Sequence, residues 1–76
     1  MEETQATQAL AALSQPTRLA VFRLLVREGP AGLPAGEVAR KIGVQPATLS
    51  FHLAQLERAG LLVSKRQSRR ILYAAD

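Results

Sequence analysis

The chain has 76 residues, with ten Lys/Arg against six Asp/Glu and a formal net charge of +4. That length gives one small domain with a modest core, and the lack of cysteine excludes disulfides and thiolate metal sites within it. A lone histidine, His52, cannot build a metal site, no stretch approaches the ~20 apolar residues of a membrane span, and the basic excess favours acidic partners, nucleic acid first.

Residues 5 to 13, QATQALAAL, read as a short alanine-rich helix with Thr4 placed to cap it. Its apolar positions Ala6, Leu10, Ala11 and Leu13 can close the core or pair with a second subunit. Ser14-Gln15-Pro16 punctuates the chain. Ser14 can cap the next helix, and Pro16 is tolerated in a first turn, where its missing N–H has no partner. That helix spans about 16 to 28. Leu19, Val21, Phe22, Leu25 and Val26 form its expected buried stripe, with Arg18, Arg23 and Arg27 outside it. Gly29-Pro30 stops it. The run 29-GPAGLP-34 is too rich in Gly and Pro for a regular element, although Leu33 can add one short edge strand.

Residues 35 to 42, AGEVARKI, form a short third helix ended by Gly43. Val44-Gln45-Pro46 is a tight connection. A fourth helix follows over about 46 to 59, closed by Gly60. Two helices joined by a short turn that contains Gly form a helix-turn-helix, here about 35–59. In the fourth helix Leu49, Leu53 and Leu56 share one side at about 100° per residue. Phe51 falls opposite them, on the face that should meet water. Beyond it, 61-LLVSKR-66 and 69-RRILYA-74 read as two strands of a hairpin, with Gln67-Ser68 at the turn. From Arg58 to Arg70 there are five basic residues and no acid.

A helix-turn-helix followed by a basic hairpin is a winged helix. The expected fold class is therefore mainly α (α+β), with four helices and a two-stranded C-terminal wing at about 61–74. Residues 1–76 are expected to form a single domain. The fourth helix can enter a DNA major groove about 12 Å wide. Its candidate base-contacting side chains are Gln45, Thr48, Ser50, Phe51, His52 and Gln55. Gln pairs with adenine, Ser and Thr contact bases or phosphates, and a Phe ring packs on a thymine methyl. Lys65, Arg66, Arg69 and Arg70 are candidate phosphate contacts. His52 can alternatively brace the motif, and Phe51 can pack on the wing or on a partner.

The segments PTRLAVFRLL, GEVARKIGV, ATLSFHLAQLERAGLL and a hairpin ending in ILYA, in that order, resemble the ArsR/SmtB metalloregulatory repressors. The resemblance runs from about Leu13 to Ala75, and its phrasing is most similar to the arsenical-resistance branch. It implies a homodimer that binds an inverted-repeat operator on double-stranded DNA and represses transcription. It also implies release by an inducer, commonly a metal or metalloid ion. Two departures stand out. The third helix lacks the cysteines common in arsenic- and cadmium-sensing members. The C-terminal dimerisation helix usual in the family has no counterpart within residues 1–76. Either the native chain continues past Asp76 into such a helix, or the dimer relies mainly on the N-terminal helix, with contacts expected from Ala6, Leu10 and Leu13. No cofactor or inducer site is visible, and a soluble, cytoplasmic protein is expected. The competing reading is a winged helix used only for protein–protein contact. An enzyme is the weakest reading, because no nucleophile–base set, carboxylate pair or glycine-rich phosphate loop is present.

Overall fold

The computed structural model describes residues 2–76. The first helix, α1 (Glu3–Leu13), begins two residues before the expected start. Glu2 caps it instead of Thr4. Its Oε1 accepts from the Gln5 N–H at 2.6 Å, and the Gln5 Oε1 accepts from the Glu2 N–H at 3.2 Å. This reciprocal pair satisfies two N–H groups that a helix start leaves open, and the carboxylate suits the positive end of the helix dipole. Thr4 thereby becomes part of the first turn.

The second helix, α2 (Pro16–Glu28), has Pro16 in its first turn, as expected. Its cap is Gln15, whose side chain accepts from the Arg18 N–H at 2.8 Å. Ser14 serves the other helix: its Oγ donates to the Ala11 carbonyl at 2.7 Å and closes α1. After α2 comes β1 (Leu33–Pro34), then α3 (Ala35–Ile42) and α4 (Pro46–Arg58). Gly43 lies between the last two in the left-handed region, φ 83° and ψ 39°, with its N–H on the Ala39 carbonyl at 2.8 Å. A residue without Cβ adopts that conformation at little cost, and this ends α3 sharply.

The strands β2 (Leu62–Gln67) and β3 (Arg70–Ala75) form the hairpin. Each starts one residue later than the sequence suggests, so the tip is Ser68-Arg69, with Ser68 at φ 60°. Gln67 joins the ladder opposite Arg70. The short edge strand expected at Leu33 is present, and with the hairpin it makes a three-stranded sheet in the order β1-β3-β2, antiparallel throughout. Leu33 pairs with Tyr73 and Pro34 with Leu72. Pro34 can end a sheet edge because it lacks the N–H that a further neighbour would need.

The core joins Val21 and Leu25 of α2, Val38 of α3, and Leu49, Leu53 and Leu56 of α4. Leu33 and Leu62 close it from the sheet. The expected α2 stripe is too wide. Leu19 and Phe22 are half-buried, and Val26 is 53% exposed. The inward face of α1 is Ala9 and Ala12, so Leu10 points outward at 71% exposure. Leu13 packs against this chain's own core rather than standing free.

Gly32 is the most crowded of the glycines. Its φ is 72°, and a Cβ there would lie 2.5 Å from the Tyr73 carbonyl oxygen on the adjacent strand. Gly32→Ala therefore combines left-handed strain with a backbone clash. It should cost about 1–3 kcal/mol or more. Thermal unfolding of Gly32→Ala against Gly36→Ala, where a Cβ meets nothing within 4 Å, checks this. Equal melting temperatures would contradict it.

Candidate nucleic-acid interface

The azimuth of α4 is fixed from below. Leu49, Leu53 and Leu56 are buried, and each is three or four residues from the next. The opposite face must therefore look outward. Gln45, Thr48, Ser50 and Phe51 are all exposed, Phe51 at 58%. A large apolar ring at that exposure contributes little to the core. The helix's first turn carries no acid, so its positive end is available to a phosphate.

Two of the predicted contact residues lie elsewhere. His52 follows Leu49 by three positions and precedes Leu56 by four, which puts it at the edge of the leucine seam. It is buried, at 8% exposure. Its Nδ1 lies 3.1 Å from Nη1 of Arg18. Arginine only donates, so Nδ1 is the acceptor and the neutral imidazole carries its proton on Nε2. Burial first, and then the Arg18 charge, lower the His52 pKa from its ordinary value. Of the two expectations for His52, a groove contact and a brace, the structure shows the bracing contact, between α4 and α2. Its ring also meets the Phe51 ring edge-on, with centroids 5.6 Å apart. Gln55 is half-buried and lines a cleft against α1 instead of the exposed face.

Arg18 is the residue that sequence reasoning passed over. Its Nε donates to the Ala12 carbonyl at 2.8 Å while its Nη1 reaches His52. One side chain thus ties α1, α2 and α4 together. Periodicity placed it correctly outside the apolar stripe of α2. Nothing along the chain signals a partner 34 positions away.

The wing cations divide between two faces. Side chains alternate along a strand, and cross-strand pairing puts Ser64 with Tyr73 and Arg66 with Ile71. Ser64 Oγ donates to Glu57 Oε2 of α4 at 2.9 Å. The face with Ser64, Arg66, Ile71 and Tyr73 is therefore the α4 side. Lys65, Gln67, Arg70 and Leu72 occupy the other. Lys65 is not wholly free, since its Nζ donates to the Pro30 carbonyl at 2.9 Å. Arg69 sits in the turn. Lys65, Arg66, Arg69 and Arg70 are all exposed, and none forms an ion pair among the described residues.

An outward helix on a helix-turn-helix, flanked by a cationic hairpin, defines a winged helix-turn-helix DNA-binding domain. Residues 13–65 match the helix-turn-helix domain family. The chain is 40% identical over 70 residues to the HTH-type transcriptional regulator YgaV of Escherichia coli K12, covering 92% of this chain and 69% of that protein. It is 37% identical over 70 residues to the HTH-type transcriptional regulator NmtR of Mycobacterium tuberculosis, covering 92% and 56%. Among solved structures, an ArsR-like transcriptional regulator from Rhodococcus sp. RHA1 superposes with a TM-score of 0.84 at 30% identity, covering 96% of this chain and 66% of that one. The transcriptional repressor BigR from Xylella fastidiosa gives 0.83 at 32%, covering 96% and 71%. The homodimeric winged-helix domain of Mb0332 from Mycobacterium bovis, described as a possible ArsR-family regulator, gives 0.85 at 26%, covering 95% and 64%. The chain belongs to the ArsR family of helix-turn-helix transcriptional regulators. These relatives are named as regulators and not as enzymes.

The brace makes a pH prediction. The His52 pKa is lower folded than unfolded, so the unfolded chain binds more protons over the intervening range. The contribution is complete above about pH 6.5 and is lost as pH falls through the folded value. Urea unfolding should show stability dropping on the acid side of about pH 6.5. His52→Asn keeps an acceptor near the Nδ1 position and does not titrate there, so this part of the drop should disappear. An unchanged acid limb in His52→Asn would mean that another group causes it.

Proposed function

We propose that this domain binds an operator in double-stranded DNA and represses transcription. Gln45, Thr48, Ser50 and Phe51 meet base edges in the major groove. Arg66 and Arg69, with Lys65 and Arg70 behind them, neutralise phosphates. The single observation that carries this reading is the exposure of Thr48, Ser50 and Phe51 on one face of α4 beside the unpaired wing cations. We further infer a homodimer. The exposed Leu10 on α1 supports it, as does the homodimeric state named for Mb0332. Ala6 is half-buried beside it. A two-fold dimer presents two α4 helices about 34 Å apart and suits an inverted repeat. The repressor role follows the name of BigR. The place of action is the cytoplasm, where operator DNA is found. Among the described residues no single helix is long and apolar enough to cross a membrane.

The metal or metalloid inducer of the wider family is a different matter. The described residues hold no group of three or more His, Cys, Asp or Glu side chains able to grip a metal ion. These residues do not fit such an ion, and no release step is assigned to one. The arsenical branch has no residue-level support for the same reason. A purely protein-binding role has one observation in its favour, the outward Phe51 ring.

Binding to upstream DNA and to random DNA, across several salt concentrations, separates these readings. Ser50→Ala should weaken the cognate site more than random DNA. Arg66→Ala should weaken both alike and lower the salt slope by about one. Phe51→Ala should cost stability no more than about 1.5 kcal/mol, the scale of its lost edge-on contact. It should weaken cognate binding by about 1–3 kcal/mol. No preference for upstream DNA at any salt would remove the repressor reading and leave the protein-binding one.

A further inference from the structure

Further along α4, on the stripe that runs on from Phe51 through Gln55 and Arg58, a cleft of about 280 Å³ opens between the C-terminal half of that helix, α1 and the start of α2. Its polar wall is Gln8, Arg18, Gln55 and Arg58. Its apolar wall includes Ala12 and Ala59, and no acidic residue lines it. Two arginines therefore line one concavity without a counter-charge. Arg18 is already oriented, because its Nε and Nη1 are held by the Ala12 carbonyl and by His52. Its Nη2 and the whole Arg58 head have no hydrogen-bond or ion-pair partner among the described residues. A guanidinium locked by its neighbours loses little side-chain freedom when an anion arrives. Gln8 and Gln55 add amide donors on opposite walls.

We propose that this cleft binds a small organic carboxylate. The carboxylate lies between Arg18 and Arg58, and its apolar body rests on Ala12 and Ala59. Charge-assisted pairing with arginine supplies orientation. The alanine methyls distinguish an organic acid from a bare inorganic anion, which would leave them in water. The volume, close to the lower end of small-molecule sites at roughly 300 Å³, limits the ligand to a compact acid. The binding site does not depend on the DNA-binding reading, although its floor is the same helix that carries the groove-facing residues.

His52 is the sole histidine, so its imidazole signals give one unambiguous NMR reporter on the far side of Arg18. The probe is benzoate, titrated into the full chain without DNA, with benzamide as the uncharged isostere and inorganic phosphate as the bare anion. Benzoate should shift the His52 signals saturably. It should also raise the midpoint of the His52 titration, because a bound carboxylate offsets the Arg18 charge. Benzamide should do neither, and phosphate should bind at least tenfold more weakly. Arg58 is exposed and has no hydrogen-bond or ion-pair partner among the described residues, so Arg58→Gln should stay folded by circular dichroism and lose at least tenfold in benzoate affinity. The proposal is overturned by an absence of saturable shift, by an equal response to benzamide or to phosphate, or by unchanged affinity in Arg58→Gln.

Discussion

The leucine seam of α4 holds the rest of the molecule in place. Leu49, Leu53 and Leu56 lie against Val21, Leu25 and Val38 with essentially no solvent exposure. An α-helix fixes the angle between any two of its residues, so this one packing decision sets the direction of every other side chain on α4. Thr48, Ser50 and Phe51 look outward as a consequence. A rotation that brought Phe51 inward would drive leucines into water, at about 1.5–3 kcal/mol for each side chain exposed. One phenylalanine cannot offset several leucines, so the outward ring is the lesser cost. The helix carries an apolar contact group on its solvent side because its core side is already full.

The seam fixes rotation; Arg18 and His52 fix position. Apolar packing has little directionality, and a short helix can slide on a greasy surface. The Arg18 guanidinium has a planar fork with set donor directions. Its bonds to the Ala12 carbonyl and His52 Nδ1 tie the end of α1 and the middle of α4 to the start of α2. Ser64 and Glu57 do similar work at the other end of α4, where the strand β2 meets it. The exposed Arg40–Glu37 pair, at 3.8 Å within one helix, adds little by comparison.

Periodicity made much of this legible before the structure. The bounds of α3 and the start of α4, the outward Phe51 and the buried leucines follow from a 3.6-residue repeat punctuated by Gly43, Pro46 and Gly60. The misreadings share a physical origin. Capping by Glu2 and Gln15 depends on side chains reaching back to the backbone, and by residue type Thr4 and Ser14 were the better candidates. Val26 is apolar and correctly spaced, yet no element packs over its side of α2. The short edge strand at Leu33 was legible, but its pairing with Tyr73 on β3 was not. His52 sat on the boundary between seam and surface, where a single residue of context decides. Arg18 had no marker at all, because its partner is distant in sequence.

The wing shows why composition alone misleads about an interface. Its four cations form one basic tract in the sequence, yet strand alternation sends Arg66 to the α4 side and Lys65 and Arg70 to the opposite one. Lys65 further commits its ammonium to the Pro30 carbonyl. Such a hairpin cannot lay all its charge on one surface. It can straddle a phosphate ridge, with cations on both flanks and Arg69 at the tip, and still keep one face on α4. On the proposed DNA-binding reading, that arrangement positions the domain by charge without reading sequence, and discrimination falls to the few uncharged side chains that the leucine seam turns outward.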